Sequence, residues 1–373
     1  MKAAIVTLHR VYNYGSVLQA YATQKVFEKH GCETSIVDYI TEQRTLKRIF
    51  FKPPADPSIK GVKRVVYQIA KIGSLALKEL TFGSFVQKTM RLTKRYVTAD
   101  DLAVDPPRAD VYVSGSDQVW NSKYNEGIDR GFFLDFVPSG RKKISFASSF
   151  GKSALDEWEK EQTRFYLSQY AAISVREDSA VEIVEDLGVQ GAVQVIDPTL
   201  QLTKSEWQPL ASPRLVKEPY LALMLLYNED NGATEIARQI ADERGLKLVK
   251  ISWEMKKPEA VDKLFTHRSP ADFLSLFSNA DFVVTNSFHG LAFSLIFERQ
   301  FLVVPRNEFN SRIDSLLSLV GLSDRLVKKP LDSNQSLPVI DYSHVNKALN
   351  AARLMRIDIS TRRWVNKCLM YYT

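Results

Sequence analysis

Short apolar segments and amphipathic helical segments alternate along most of the chain, and the apolar segments end in polar residues. Residues 3–8 form the first apolar segment, and its composition is that of a parallel strand buried on both faces. A helix predicted at 16–30 follows, with apolar side chains at helical spacing. Repetition of this unit predicts mainly parallel sheets with helices on both faces. The chain is therefore predicted to be an α/β protein.

The alternation forms two series. In the first half we predict strands at 3–8, 34–39, 110–114, 143–147, 171–175 and 194–196. In the second half we predict strands at 220–226, 246–251, 282–285 and 301–304, and helices at 234–244, 271–279, 291–297 and 312–320. Two series joined by a linker near 200–219 predict two doubly wound Rossmann-like domains facing across a cleft, the architecture of the GT-B glycosyltransferases. Because ligands of such sheets lie beyond the carboxyl ends of the strands, we expect the polar loops to converge on this cleft.

The chain length suits two domains and a tail. The 373 residues are predicted to form an N-terminal domain at 1–205 with a basic helical insert at about 44–96, a C-terminal domain at 206–340, and a helical tail at 341–373 that packs back on the N-terminal domain. No apolar run approaches the ~20 residues of a membrane span, and the first run is too short for a signal peptide. We therefore expect a cytoplasmic protein. Cys32 and Cys368 show no pairing pattern, so neither a disulfide framework nor a zinc site is expected.

The positive charge is concentrated in one segment. The chain carries a net charge of +7, but residues 44–95 alone carry 13 Lys and Arg against two acidic residues, a net +11. The remainder therefore sums to −4. A charge this local predicts a local partner for the basic segment.

The middle of the basic segment, residues 59–80, is predicted to form an amphipathic helix. Basic residues opposite an apolar face suit peripheral association with an anionic membrane. The alternative is a solvated domain face whose Val62, Ile69 and Leu75 pack on the N-terminal domain. Nucleic acid is a third partner with this charge, but no recognition module is visible, so none is expected.

The sharpest motif is Asn-Ser-Phe-His-Gly at 286–290, between a buried strand and a helix. Unpaired N–H groups at a helix N-terminus attract anions, and His289 there is suited to donate to a phosphate or to move a proton near neutral pH. The structural alternative is a helix capped by Asn286 or Ser287, with His289 as a packing residue.

A second motif, Val-Arg-Glu-Asp at 175–178, also follows a predicted strand. The guanidinium of Arg176 is suited to bind a carboxylate or phosphate with two hydrogen bonds. The alternative is a surface pair between Arg176 and Glu177, and the residues alone favour it slightly.

Three further strand ends carry polar residues. Gly-Ser-Asp-Gln at 115–118 is a tight turn that suits sugar hydroxyls, or one in which Ser116 or Asp117 caps the next segment. Residues 148–151 follow another strand. In residues 13–16, Gly15 allows close backbone approach and Ser16 is a candidate N-cap, while His9 and Arg10 are weaker candidates. No dinucleotide fingerprint and no Walker-type loop are present.

Six segments together resemble the polysaccharide pyruvyl transferase family. They occur in the family's order and span most of the chain, from residue 9 to about 325. They are residues 13–21, 114–121, 148–151, 174–177, 196–200 and 285–290, with the sequences NYGSVLQAY, SGSDQVWN, SSFG, SVRE, IDPTL and TNSFHG. The basic segment and the C-terminal tail lie outside the resemblance.

The resemblance implies a GT-B-like enzyme that transfers the pyruvyl group of phosphoenolpyruvate onto two hydroxyls of a bacterial cell-surface sugar, free or lipid-linked, to form a ketal. It assigns His289 to the reaction centre and Arg176 to phosphoenolpyruvate. Several characterised family members carry an arginine where this chain has Ser287. A phosphate-binding charge is therefore either missing here or supplied from elsewhere, with Arg312 and Arg306 the nearest candidates. Neither a cofactor nor a metal is expected.

The predicted site therefore has two catalytic residues, His289 and Arg176, and a larger set that binds substrate. The substrate-binding set is Asn13, Gly15, Ser116, Asp117, Gln118, Ser148, Ser149, Asn286, Ser287 and Arg312. Two other functions use the same frame. One is a nucleotide-sugar glycosyltransferase, and the other is a non-catalytic partner in polysaccharide assembly.

Overall fold

The fold is described from a computed structural model. The structure describes residues 1–51, 60–227, 229–253, 256–307, 310–328 and 338–353, and the backbone of 355–358 and 363–366, with the side chains of residues 43, 46, 47, 49 and 62 excepted. None of the helices in these ranges is both long enough and apolar enough to cross a membrane. The chain divides into two compact units, one built from residues 1–194 and the other from residue 195 onward.

The first unit is built on a parallel sheet. Its strands are β1 (Lys2–Val6), β2 (Glu33–Tyr39), β3 (Leu92–Tyr96), β4 (Val111–Ser114) and β5 (Lys142–Ser145), followed by the pair β6 (Ile173–Val175) and β7 (Ala192–Gln194). The five strands lie in the order β3-β2-β1-β4-β5. Parallel bridges from Ile144 to Ala172 and from Ser148 to Val175 place β6 beside β5. This is the strand order of a Rossmann domain.

Helices connect the strands of the first unit. They are α1 (Tyr14–Lys29), α2 (Leu46–Phe51), α3 (Gly61–Lys78), α4 (Ser84–Thr89), α5 (Ala99–Val104), α6 (Ser122–Asn125), α7 (Glu157–Leu167) and α8 (Asp178–Asp186). A π-helical turn, Glu79–Gly83, joins α3 to α4. One buried apolar cluster joins Ala4 of β1 and Val37 of β2 to Ile183 of α8.

The second unit repeats the same topology. Its strands are β8 (Tyr220–Met224), β9 (Lys247–Ser252), β10 (Lys263–Thr266), β11 (Phe282–Thr285) and β12 (Gln300–Val303), in the parallel order β10-β9-β8-β11-β12. Its helices are α9 (Pro198–Gln201), α10 (Lys204–Trp207), α11 (Ala233–Glu243), α12 (Pro270–Ser278), α13 (Phe288–Ile296), α14 (Ser311–Leu319) and α15 (Tyr342–Ala352). The α/β class and the two Rossmann-like domains are therefore confirmed.

The predicted tail begins with α15, which contacts the second unit. The Tyr342 hydroxyl donates to the Arg299 carbonyl, and Arg353 Nε donates to the carbonyl of Leu200 at 2.6 Å. Two short strands, β13 (Met355–Asp358) and β14 (Arg363–Asn366), pair with each other. Other residues beyond 353, whose packing on the N-terminal domain was predicted, lie outside the described part of the chain.

Two strands were missed by the sequence analysis. β3 and β10 are both edge strands. β3 has exposed Lys94 and Arg95, and only Phe265 of β10 is buried, so neither shows the apolar run of a buried strand. Because β3 ends the basic segment, the helices within that segment are the crossover between two neighbouring strands of the sheet.

Each sheet reverses its winding direction at one point. In the first unit the reversal lies between β1 and β4, and in the second between β8 and β11. Ligands of doubly wound sheets bind in the crevice outside this point. The loops after these four strands are therefore where a site is expected in each unit.

Helix α13 packs closely on β11 at this point. A Cβ atom on Gly290 would lie 2.3 Å from Thr285 Oγ1 and 2.9 Å from its Cβ. Glycine is therefore required by the approach of helix to strand.

We expect Gly290→Ala to lower the free energy of unfolding by about 1–3 kcal/mol, the usual cost of overpacking. Gly73 supplies the control, because it lies within α3 and a Cβ there would meet no atom within 4 Å. Gly73→Ala should raise stability by roughly 0.5–1 kcal/mol through helix propensity. Urea unfolding of both variants measures the difference, and equal effects would contradict the packing argument.

Candidate functional site

The loop after β1 leads into α1 with Asn13 as the N-cap. Asn13 Oδ1 accepts hydrogen bonds from the backbone N–H of Gly15 at 2.9 Å and of Ser16 at 3.4 Å. The candidate N-cap Ser16 is therefore a wrong assignment. The Ser16 hydroxyl does not cap the helix, because it donates a hydrogen bond to the carboxylate of Asp117.

Asp117 brings the ends of β1, β4 and β6 together. Its backbone is left-handed with φ of +74°, a conformation that aspartate tolerates better than most residues but that still carries strain. One carboxylate oxygen accepts from Ser16, and the other lies 3.5 Å from Arg176 Nη2. The capping role proposed for Ser116 or Asp117 belongs to Asn121, which caps α6.

Arg176 is buried between two carboxylates. Only 4% of the residue is exposed, and its Nε lies 3.8 Å from Glu177 Oε2, in addition to the Asp117 contact. The surface-pair interpretation of Arg176 is therefore wrong. A guanidinium removed from water needs compensating charge, and these two carboxylates supply it.

The predicted serines and Gln118 hold the surrounding loops. Ser148 Oγ lies 2.9 Å from the carbonyl oxygens of both Ser114 and Gly115, and Ser149 Oγ donates to Glu177 Oε1 at 2.5 Å. Gln118 Oε1 accepts from Asn121 at 2.7 Å, beside Gly151, whose φ is +63°. Ser116 is fully buried, and its carbonyl accepts from Thr7.

A second charged cluster, around Asp38, occupies the ends of β1 and β2. Asp38 accepts from His9 Nε2 at 2.9 Å and from Arg10 Nε and Nη2 at 2.6 and 3.1 Å, while Arg95 Nε lies 3.3 Å away. Burial opposes ionisation, but the hydrogen bonds from His9 and Arg10 outweigh it and hold the pKa of Asp38 well below its ordinary value. His9 and Arg10 are thus tied to a carboxylate that the sequence analysis did not single out.

Arg44, the first residue of the basic segment, contacts α6, the helix that follows β4. Its Nη2 donates to Asn125 Oδ1 at 2.9 Å, and burial lowers the pKa of its guanidinium against the opposing charges of Asp129 and Asp117. Burial likewise raises the pKa of Asp129, although Tyr39 donates to it at 2.9 Å. One cation of the +11 segment therefore packs, partly buried, against the first unit.

In the second unit, polar residues after β11 organise the start of α13. Asn286 Oδ1 accepts from the Leu226 N–H at 2.7 Å, and its amide donates to the Glu229 carbonyl at 2.9 Å, so Asn286 joins the loops after β8 and β11. Ser287 is the N-cap, and its hydroxyl accepts from the Gly290 N–H at 3.3 Å.

His289, in the first turn of α13, faces a buried carboxylate. Its Nε2 lies 3.7 Å from Asp197 Oδ2, a separation longer than a hydrogen bond. The histidine is 7% exposed, and among the described residues Nε2 has no hydrogen-bond partner. Asp197 Oδ1 accepts from the N–H and the hydroxyl of Thr199 at 2.9 and 2.7 Å, which fixes the carboxylate. The sequence analysis quoted Asp197 within a motif without giving it a role.

Arg306 and Arg312, the candidates for the positive charge that is absent at Ser287, have different surroundings. Arg306 binds Glu229 through Nη2 at 2.9 Å and Nε at 3.3 Å, and this pairing lowers the pKa of Glu229. Arg312 lies with its guanidinium carbon 5.8 Å from the centre of the Phe288 ring. Arg312 therefore lies against Phe288 at the start of α13, while Arg306 is paired with Glu229.

Within the described ranges, no group of three His, Cys, Asp or Glu side chains is placed to hold a metal ion. The predicted site residues fall into two groups. The first unit holds Asn13, Gly15, Ser116, Asp117, Gln118, Ser148, Ser149 and Arg176, and the second holds Asn286, Ser287, His289 and Arg312. That the two groups line one cleft stays a prediction.

Two Rossmann-like domains, each built on a parallel sheet, place the protein in the GT-B fold class. An α-glucosyltransferase solved with UDP and a 13-mer DNA has this fold: its TM-score is 0.50 at 8% identity, over 95% of this chain and 90% of that chain. UDP-GlcNAc 2-epimerase from Methanocaldococcus jannaschii gives a TM-score of 0.49 at 11% identity over 100% of both chains. The glycosyltransferase SnogD from Streptomyces nogalater gives 0.44 at 13% identity, over 95% and 94%. At these identities the likeness concerns the fold alone.

The sequence profile of the polysaccharide pyruvyl transferases matches residues 13–308, and the chain belongs to this family. The predicted family is confirmed, and with it a transferase that acts on a sugar or polysaccharide. No curated protein sequence matches the chain significantly.

We expect Asp38→Asn to lower the free energy of unfolding by about 3–5 kcal/mol at neutral pH, because it leaves Arg10, whose side chain is only 10% exposed, without its carboxylate. The pKa of Asp38 is lowered by folding, so its stabilisation is complete above the ordinary carboxyl pKa of about 4 and is lost as pH falls toward the folded-state pKa. The difference between wild type and variant should narrow below about pH 4. Urea unfolding across this pH range measures it, and a constant difference would contradict a role for the ionised carboxylate.

Proposed function

We propose that the enzyme transfers the pyruvyl group of phosphoenolpyruvate onto two hydroxyls of a cell-surface polysaccharide sugar, forming a cyclic ketal and releasing phosphate. The observation that carries this proposal is the pair of His289 and Asp197 at the N-terminus of α13, beside the switch point of the second sheet. An imidazole next to a buried carboxylate is suited to carry a proton to a substrate at neutral pH.

The donor is an anion with a carboxylate and a phosphate, so the site needs cations. Arg176 is buried at the end of β6, with its orientation set by Asp117 and Glu177. Arg312 lies against Phe288 and supplies the charge that Ser287 lacks. The proposal requires both arginines to reach the same donor.

The reaction begins with protonation of the methylene carbon of phosphoenolpyruvate, which makes the neighbouring carbon electrophilic. One sugar hydroxyl adds to that carbon and loses its proton, and the carbon–oxygen bond to phosphate breaks. The second hydroxyl then adds and loses its proton, which closes the ketal. Two carbon–oxygen bonds form and one breaks, with no change of oxidation state overall.

His289 is the proposed acid, and Asp197 is a positioning residue. The carboxylate of Asp197 lies 3.7 Å from Nε2, and Thr199 holds its other oxygen, so it presents a fixed negative charge to one edge of the imidazole. The guanidinium groups stabilise charge on the departing phosphate, a form of preorganised electrostatics that lowers the barrier.

The acceptors fit a location at the cytoplasmic face of a bacterial inner membrane, where surface sugars are assembled on lipid carriers. We include peripheral association with that anionic face in the proposal. The concentration of positive charge in residues 44–95 supports it.

We expect His289→Gln to lower kcat by about 10²–10⁴ while the protein stays folded, because an acid in proton transfer contributes on that scale. His344→Gln is the matched control, since His344 is exposed on α15 and should leave activity unchanged. Phosphate release together with mass detection of the ketal product measures turnover. Full activity of folded His289→Gln would remove the histidine from the mechanism.

We expect Arg176→Lys to weaken binding of phosphoenolpyruvate although the charge is kept, because lysine cannot form the planar two-point contact. Thermal shift with phosphoenolpyruvate measures this, since a ligand that binds the folded state raises its melting temperature. Arg108→Lys, on the surface, should behave like wild type.

The same assay separates the proposal from glycosyl transfer. Stabilisation of the wild type by a nucleotide sugar and not by phosphoenolpyruvate would replace it with a glycosyltransferase. Stabilisation by neither donor would favour a non-catalytic partner in polysaccharide assembly.

A further inference from the structure

Helix α3 carries a large apolar surface that faces solvent. We call this the outer face of α3 and define it by Val65, Val66, Ile69, Ile72, Leu77 and Leu80, each between 49 and 70% exposed. Seven of the 15 large apolar side chains that are exposed in the described chain lie at 51–80, the seventh being Phe51 of α2. Such a concentration marks an interaction surface, since isolated exposed apolar residues are normal but clusters are not.

The amphipathic orientation of α3 is inverted. A surface helix normally turns its apolar stripe to the core and its polar face to water. Here the half-buried residues, among them Tyr67, Lys71 and Lys78, lie on the polar side. Lys78 Nζ lies 5.5 Å from the ring of Tyr12 in the loop after β1. The outer face is therefore turned away from the first unit.

This geometry decides between the two interpretations of the helix. Packing on the N-terminal domain was expected to bury Val62, Ile69 and Leu75. Ile69 is 64% exposed and Leu75 is only partly buried, while the side chain of Val62 lies outside the described set. The packing alternative is wrong for Ile69, and the outer face needs another partner.

The charge around α3 indicates the chemistry of that partner. Residues 60–78 contain five basic side chains and no acidic one, and Lys60, Lys63 and Arg64 are exposed at the start of the helix. A second copy bound through this face would add the same positive charge and could not compensate it. An anionic surface compensates them instead.

We propose that the outer face of α3 lies in the boundary between headgroups and acyl chains of an anionic membrane, parallel to its plane. Apolar side chains on one side and Lys and Arg on the other are the composition of interfacial helices. A helix is about 10–12 Å across, so the basic residues on the far side stay close to one Debye length, about 8–10 Å, from the headgroups. They therefore retain part of the attraction.

The membrane-bound helix is tied to the loop of the first unit that carries Asn13. The π-helical turn after α3 places Glu79 with its carboxylate 3.5 Å from Arg10 Nη1 and 3.4 Å from the Tyr12 hydroxyl. Phe82 in the same turn lies 5.1 Å from the ring of Tyr14, at the start of α1. A chain held at the bilayer by α3 thus has this loop near the lipid surface, where a lipid-linked acceptor is found.

The inference deepens the proposed function and rests on it only for the nature of the acceptor, because vesicle binding is measured without any reaction. The full chain is co-sedimented with vesicles of phosphatidylglycerol and phosphatidylcholine in equal parts, and with vesicles of phosphatidylcholine alone. We expect binding to the first and at least tenfold weaker binding to the second. High salt should weaken binding strongly, because the Debye length falls to about 3 Å at 1 M.

Two double variants test the two components of the surface. Lys63→Glu with Arg64→Glu reverses the exposed charge, and Ile69→Ser with Ile72→Ser removes apolar area; each should weaken binding to anionic vesicles by about tenfold or more. The matched controls are Lys217→Glu with Lys347→Glu, and Val104→Ser with Val339→Ser, which make the same changes at exposed positions elsewhere. The controls should bind within about twofold of wild type.

Several outcomes would overturn the proposal. They are negligible binding to both kinds of vesicle, equal binding to both, and loss of binding in the control variants to the same extent. A concentration-dependent dimer that Ile69→Ser with Ile72→Ser abolishes, without vesicle binding by the wild type, would assign the outer face to a second copy. Transfer to a soluble acceptor is measured separately in every variant, so failure of membrane docking and failure of pyruvyl transfer are distinguished.

Discussion

The first unit depends on charge compensation of the buried Arg176. Asp117 and Glu177 approach it from the ends of β4 and β6, and Ser16 and Ser149 bind these carboxylates in turn. A guanidinium without such partners would not remain in the interior, so the loops that bring the carboxylates are held together by its burial. The left-handed backbone of Asp117 is the local cost of this arrangement, offset by the contacts it makes.

The two units use one topology for different chemistry. In both sheets the central strands are apolar, and most of the polar groups of the candidate site follow the carboxyl ends of strands. In the first unit those groups form ion pairs around Arg176 and around Asp38. In the second unit, His289 in the first turn of α13 faces the carboxylate of Asp197, which Thr199 holds in place. The proposed division into anion recognition in the first unit and proton transfer in the second rests on these differences in side chains, because the topologies are alike.

Much of the fold was predictable from the sequence because buried parallel strands are almost continuously apolar. This holds for β1, β8 and β11, while the edge strand β3 carries exposed charges and was missed. The motif positions of Arg176 and His289 were predictable, but their partners were not: Asp117 and Asp197 are distant in sequence, and only the topology brings them near. The N-cap of α1 was assigned to Ser16 because serine and asparagine are equally good caps, and the contact with Asp117 decides between them.

The orientation of α3 is the feature that sequence periodicity was least able to predict. Periodicity identifies an apolar face but does not tell whether that face meets protein, lipid or water. Here the polar side meets the body of the first unit through Lys78 and Glu79, so the apolar side is left outside. The distribution of charge agrees with this orientation: the segment around α3 is strongly positive, and the rest of the chain is net negative. An anionic surface would therefore attract this segment and repel the remainder, which favours a single orientation of the enzyme at the membrane.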